Sequence, residues 1–212
     1  MALLGEQLVN EWLNRIGFFT LRGIKMGVHE IDLLGIRMRE GVLEGWHVEA
    51  QIGFRPVSYI GKLSKEEQQA LGAKSSLSRK KRSPEVLKEG IHRWVHKKFL
   101  SPTKKQMRDK CWKNIDWQYK LVHGRVMEQT ELDLMKAHGI ELISFDTVLE
   151  KLSGGEPGEL FGGAGTDIAE IVRYYASANR VHLTLASRGL KAGGRRYDPR
   201  AMIAPRPRLT VY

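Results

Sequence analysis

Gly27-Val28-His29-Glu30-Ile31-Asp32-Leu33-Leu34-Gly35, followed by Trp46-His47-Val48-Glu49-Ala50-Gln51, sets acids into the middle of two apolar runs. Each run has strand length and is bounded by turn residues, Gly27 before the first and Gly41 between them. The pattern predicts strands at Val28–Ile36 and Gly45–Ile52. Successive side chains on a strand alternate faces. His47, Glu49 and Gln51 therefore share one face of the later strand, opposite Trp46, Val48 and Ala50. On the earlier strand Glu30 and Asp32 share a face with Leu34 and Ile36, opposite Ile31 and Leu33. Asp is disfavoured in strands, and an acid is costly to bury unpaired. Neighbouring strands lie about 4.8 Å apart, so Asp32 and Glu49 can meet at one cation. Hard carboxylate oxygens select Mg²⁺ or Mn²⁺, which activates water and neutralises charge on a phosphodiester.

Outward from this pair, Leu4, Leu8, Val9, Trp12, Leu13 and Ile16 fall on one helical stripe. They predict an amphipathic helix over 3–16 that Gly17 ends. Glu6 lies about 20° from Leu13 on the helical projection, at the edge of the apolar stripe. A further strand is expected at Phe18–Ile24, making an antiparallel meander of three strands behind the helix.

The formal net charge is +11. Between Lys74 and Lys113 there are 14 Lys/Arg and 3 acids, which leaves 21 basic and 21 acidic residues elsewhere. All the excess charge therefore sits in one segment, a field that attracts polyanions through counterion release. Trp94, Phe99 and Trp112 interleave with it and can stack or pack. Ser83-Pro84-Glu85 reads as a helix start, Ser101-Pro102 as a break, and a second helix is expected over Lys104–Asn114. A strand at Tyr119–Val126, a helix at Glu131–Ala137, a strand at Ile140–Phe145 and a helix capped by Asp146 and running to Leu152 complete the core. Residues 153–165 hold six Gly and one Pro and read as a linker. Beyond it a helix (Asp167–Ala178), a strand (Val181–Ala186), a Gly/Arg-rich loop (Gly189–Arg196) and a Pro/Arg tail are expected. The tail's Arg195, Arg196, Arg200, Arg206 and Arg208 offer further phosphate contacts.

Other classes fall away. No apolar run reaches the length of a membrane helix, and Glu6 comes too early for a signal peptide. One cysteine, Cys111, forms no internal disulfide, so a reducing cytoplasm is the expected compartment. One Cys and seven scattered His do not make a structural zinc site. Gly162-Gly163-Ala164-Gly165-Thr166 lacks the Lys of a phosphate-binding loop. Trp12 and Trp46 are expected core anchors.

The order helix with Glu6, Gly-x-x-Glu-Ile-Asp-Leu-Leu around Asp32, then Glu49-Ala50-Gln51, resembles the PD-(D/E)XK nuclease superfamily, which includes restriction endonucleases and Holliday-junction resolvases. The resemblance runs to about Phe145 and implies an α/β fold with an α-β-β-β-α-β core and a central mixed sheet. It implies a core over 1–152 with a basic insertion at 74–113, then the linker, then a small C-terminal extension over 166–212. By this resemblance Asp32, Glu49 and the Ala50 carbonyl hold Mg²⁺ (or Mn²⁺), and Glu6 supports a second metal or a water. Gln51 stands where the family has Lys and would position water. Lys25 or a lysine of the basic segment is then needed to supply the missing charge.

The expected function is metal-dependent hydrolysis of nucleic acid, DNA foremost, by a chain that forms a homodimer or joins a larger nucleoprotein complex. Arg79, Lys80, Lys81, Arg82, Lys97, Lys98, Lys104 and Lys105 are the expected backbone contacts. The alternative, favoured by Gln51, is a non-catalytic nucleic-acid-binding or assembly subunit. A basic structural protein of a ribonucleoprotein would leave Glu6, Asp32 and Glu49 without a shared purpose. Charge reversal across Arg79–Arg82 is expected to weaken binding to all nucleic-acid sequences and flatten its salt dependence, measured as the slope of log affinity against log salt.

Overall fold

Helix α1 (Ala2–Arg15) buries its apolar stripe, Leu8, Val9, Trp12 and Leu13, against one face of a sheet. Each such side chain contributes about 1.5–3 kcal/mol when fully removed from water. The computed structural model describes residues 2–53, 55–154 and Ile171. The expected helix, strand, loop and tail beyond 166 lie outside the described residues, Ile171 apart. Residues 153 and 154 of the expected linker belong to the last helix, and its remainder, 155–165, lies outside the described residues.

Five strands form the sheet in the order β1 (Phe19–Met26), β2 (His29–Arg39), β3 (Val42–Gln51), β4 (Trp117–His123) and β5 (Glu141–Ser144). The first three run antiparallel as a meander, and β3, β4 and β5 are mutually parallel. The protein is thus of the expected α/β class with a mixed central sheet. The β2–β3 turn places Glu40 and Gly41 at φ 53° and 79°. Two consecutive residues in that region make the tight hairpin geometry whose twist matches the strands.

Parallel strands need crossovers, and these carry the remaining helices. Between β3 and β4 come α2 (Lys65–Ala70), α3 (Pro84–Val95), a π-helical turn (His96–Leu100) and α4 (Pro102–Cys111). Helix α5 (Gln129–Ala137) links β4 to β5, and α6 (Phe145–Gly154) follows. Helix α6 packs beside α1 through Val148 and Leu152, while Ile91, Val95, Phe99, Leu132 and Met135 cover the opposite face. Trp46 meets Phe18 at 4.4 Å and Trp12 at 6.2 Å between ring centres, so the expected anchors are core residues. Phe99 is fully buried, and Trp94 and Trp112 pack against the core clusters.

Several local expectations need correction. Helix α2 follows a capping box in which Ser64 Oγ accepts from the Glu67 amide and Glu67 returns to the Ser64 amide, a signal present in Ser64-Lys65-Glu66-Glu67 but not read above. Ser144, not Asp146, caps α6, its hydroxyl accepting from the Thr147 amide at 3.0 Å. The second helix of the basic segment starts at Pro102 and stops at Cys111, its Ser101 cap accepting from the Lys104 amide.

Arg82 is 5% exposed and belongs to the core, contrary to its expected role as a phosphate contact. Its guanidinium lies over the Tyr59 ring at 3.8 Å, donates to the Gly61 carbonyl at 2.6 Å and faces the Glu131 carboxylate at 3.9 Å. Glu131 in turn accepts from the Ile60 and Gly61 amides. A side chain at Gly61 would come within 3.0 Å of the Gly90 backbone, so α3 docks on this loop only through paired glycines. This buried polar knot fastens the long β3–α3 connection to α3 and α5. Glu131→Ala is expected to cost about 3–5 kcal/mol by leaving Arg82 without a carboxylate and two buried amides without an acceptor. A urea midpoint close to the wild type's would refute that account.

Candidate functional site

The β2–β3 ladder ends at the pair Leu33 and Val48. Beyond it β2 stays with β1 as far as Met26 and His29, while β3 stays with β4 as far as Gln51 and His123. The sheet forks there, and Asp32 and Glu49 are the first residues past the split. A fork orphans backbone groups that a ladder would have paired. The Ala50 amide is one of them, and Asp32 Oδ2 accepts from it at 2.8 Å. The Ala50 carbonyl projects from the same edge of the strand as its amide, into the same gap.

Strict alternation fails at this point. Ile31 packs with Leu34 and Met107 on the α4 side, whereas Leu33 packs with α1. The expected grouping of Ile31 with Leu33 is therefore wrong. On β3 alternation holds: Trp46 and Val48 join the α1 cluster, and His47 faces Phe99 and Tyr119.

Glu49 is 1% exposed and fully engaged. Lys98 Nζ, from the π turn, donates to its Oε2 and lies 3.8 Å from Asp32 Oδ1. Lys104 Nζ, from α4, lies 3.1 Å from Oε1 and also donates to the Glu30 carbonyl. His47 Nε2 lies 3.1 Å from the same Oε1. Lys98 and Lys104, expected on the phosphate-binding surface, thus turn inward to the acids. Lys104 is 3% exposed, and among the described residues Glu49 and the Glu30 carbonyl meet its charge. Lys25 makes an exposed ion pair with Glu30 at 3.7 Å and does not reach the carboxylate pair.

The charges are strongly coupled. Burial, then the charge of Glu49, raises the Asp32 carboxyl to about 6. Burial alone would lower Lys98, but Glu49 and Asp32 outweigh it and hold the ammonium above its ordinary range. Burial, then Arg108 and Lys104, holds the His47 imidazole well below its ordinary value, so it is neutral. Glu6 is brought to this end of the sheet by the first turn of α1, where Gly5 presses on Ile52. Burial, then the charges of Asp32 and Glu30, raises its carboxyl. Among the described residues no group of three or more His, Cys, Asp or Glu is gathered closely enough to hold a metal, so Glu6 does not complete a three-acid set. Gln51 is half-buried on the Glu49 face, and its amide has no hydrogen-bond partner among the described residues.

Of the remaining expected contacts, Arg79, Lys81, Lys97 and Lys105 are exposed. Lys80 is exposed too, but its ammonium closes the end of α2 by donating to the Leu71 and Gly72 carbonyls at 2.7 and 2.8 Å. Cys111 packs at the edge of the α4 cluster, and burial pushes its thiol up, away from nucleophilic use. Among the described residues no helix is long and apolar enough to cross a membrane.

No family model matches this chain, and no curated protein matches it. The fold is similar to the crystal structure of AF1548, a protein of unknown function, at 17% identity and a TM-score of 0.40. That likeness covers 71% of this chain and spans 66% of AF1548.

An acid whose folded pKa is raised costs stability above that pKa and nothing below its unfolded value. A shift from 3.8 to about 6 corresponds to roughly 3 kcal/mol as an upper bound. In chelated, metal-free buffer Asp32→Asn is therefore expected to stabilise the protein by about 1–3 kcal/mol at pH 7.5. The gain should fade as pH falls from 6 toward 4, read from urea midpoints at each pH. A variant less stable than wild type at pH 7.5 would contradict the strained carboxylate.

Proposed function

We propose that this protein is a metal-dependent nuclease of the PD-(D/E)XK type, acting on DNA, with Asp32 and Glu49 as its metal-binding acids. The observation that carries this reading is the fork between β2 and β3, where the buried Glu49 and the half-buried Asp32 carboxylates share the Lys98 ammonium. The residues fit a hard divalent ion. Two carboxylates and the Ala50 carbonyl supply oxygen donors; burial, then the charge of Glu49, raises the Asp32 carboxyl, and a cation between the pair would offset both. Bound there, Mg²⁺ or Mn²⁺ would activate water and neutralise charge on the scissile phosphate.

The chain's own groups do the rest. Asp32 is held by the Ala50 amide, and Glu49 by Lys104 and His47, so both acids meet the substrate already oriented. Lys98 is the strongest candidate for the charge that Gln51 lacks. It reaches the same carboxylates from the π turn rather than from β3, and its side chain is 30% exposed, open to an incoming phosphate. There it would stabilise negative charge developing in the transition state. The half-buried Gln51 amide would hold water. Arg79, Lys81, Lys97 and Lys105 would track the phosphate backbone.

A second reading draws on a specific observation. Glu49 already has donors on both oxygens, so the site is charge-balanced without metal. That arrangement also suits a nucleic-acid-binding subunit whose former active site has become structural.

The test is incubation of labelled duplex, branched and single-stranded DNA and RNA with Mg²⁺, Mn²⁺ or EDTA. Wild type is expected to cleave only with metal, Asp32→Ala not at all, and Lys98→Met about 100-fold or more slowly. Binding without cleavage in every case would establish the second reading. Among exposed residues, Lys97→Glu and Lys105→Glu are each expected to reduce the salt slope of binding by about 1. An unchanged slope would remove them from the interface.

A further inference from the structure

Glu49 is held from behind by a ring whose own orientation is fixed by a third residue. His47 is fully buried, Glu49 is 1% exposed and Arg108 is 4% exposed. Arg108 Nη1 lies 3.0 Å from His47 Nδ1 and donates to the Phe99 carbonyl at 2.8 Å. Its other terminal nitrogen donates to the Tyr119 hydroxyl at 3.3 Å. A guanidinium has only donors and does not lose its proton in a protein. Nδ1 facing it must therefore present its lone pair, and the ring proton must sit on Nε2. That proton points at Glu49 Oε1, 3.1 Å away. The rings of Phe99 and Tyr119 stand edge-on to the imidazole at 4.8 and 6.0 Å and fix its plane.

The result divides the labour of the carboxylate. Oε1 takes the His47 proton and the Lys104 ammonium, both from buried groups. Oε2 is left toward the half-exposed Lys98 and the Asp32 side of the fork. A core histidine kept only for packing would not need its one acceptor nitrogen aligned on arginine and its one donor nitrogen aligned on a functional acid.

We propose that His47 is a positioning residue for Glu49: Arg108 sets its tautomer, and its Nε2 proton locks the carboxylate so that Oε2 faces the cation site. This rests on the nuclease reading for its purpose but not for its geometry. Outer partners of this kind typically tune metal affinity by 10–100-fold.

The experiment has two arms on the full chain. In the first, ¹⁵N and ¹³C NMR of the wild type reads the His47 tautomer and the Glu49 carboxyl signal. The Nε2-protonated form is expected, and the Glu49 signal should move in folded His47→Phe. The Nδ1-protonated form, or an unmoved Glu49 signal, would overturn the proposal with no reference to activity. In the second arm, Mn²⁺ binding is titrated in wild type, His47→Phe and His47→Gln, the last offering an amide donor near Nε2. His47→Phe is expected to bind Mn²⁺ about 10–100-fold more weakly, with His47→Gln recovering much of that loss. In cleavage, kcat should fall while KM stays. Equal Mn²⁺ affinity in wild type and folded His47→Phe would also overturn it. Should wild type bind no Mn²⁺, the nuclease reading fails, and the positioning geometry is judged by the NMR arm alone. His47→Gln and the wild-type spectrum keep the test valid if His47→Phe does not fold.

Discussion

The separation of β2 from β3 just past Leu33 and Val48 governs everything that follows in this molecule. A continuous ladder would have paired the Ala50 amide with backbone and pressed Asp32 and Glu49 together with no room between them. Opening the ladder creates a gap lined by strand edges, which the protein closes with a side chain: Asp32 takes the orphaned amide. The outer pairings, β1 with β2 and β3 with β4, keep both prongs of the fork rigid to their ends. Rigid strands thus place two acids at a fixed spacing, which a loop would do less reliably.

Around that gap the charges are arranged in depth. Behind it Lys104, His47 and Arg108 are buried, with Lys104 and His47 on Glu49 and Arg108 on His47. In front of it Lys98 is partly exposed and comes from a different element. Burying an acid beside an acid is unfavourable, and the raised Asp32 carboxyl is its signature. Such strain is commonly kept where function requires it. The polar knot of Arg82, Glu131 and the Ile60–Gly61 backbone also holds a buried acid whose carboxyl burial raises. There one guanidinium and two backbone amides face the acid, and anchoring alone explains it.

Much of this was readable from residue order. The helical stripe of α1, the three meander strands and the starts at Ser83-Pro84 and Ser101-Pro102 follow from periodicity and capping chemistry. Asp32 and Glu49 stood out as acids set among apolar neighbours. What sequence did not carry was direction. Two of the four lysines in Lys97-Lys98 and Lys104-Lys105 turn toward Glu49, and nothing in their identities separates them from their neighbours. Arg82 sits in a run of four basic residues, yet Glu131, 49 residues later, draws it inward. Alternation misplaced Ile31, which packs with Leu34 and Met107 just past the end of the β2–β3 ladder. Local patterns specify elements, while long-range charge pairing and the end of a ladder specify which side chains those elements present.

The π turn at His96–Leu100 carries a consequence for how this site could change over time. Its wide turn, closed by the Ser101 amide on the His96 carbonyl at 2.8 Å, holds one residue more than an α-helical turn would. Loss of a single residue ahead of Lys98 would tighten the turn to α-helical spacing and rotate Lys98 by about 100° relative to α3. Lys98 would leave the fork, although every residue type around it stayed the same. The cation at the carboxylate pair is therefore encoded by chain length as well as by residue identity. A chain one residue shorter ahead of Lys98 would keep the same lysines in its sequence and present a different side chain to the fork.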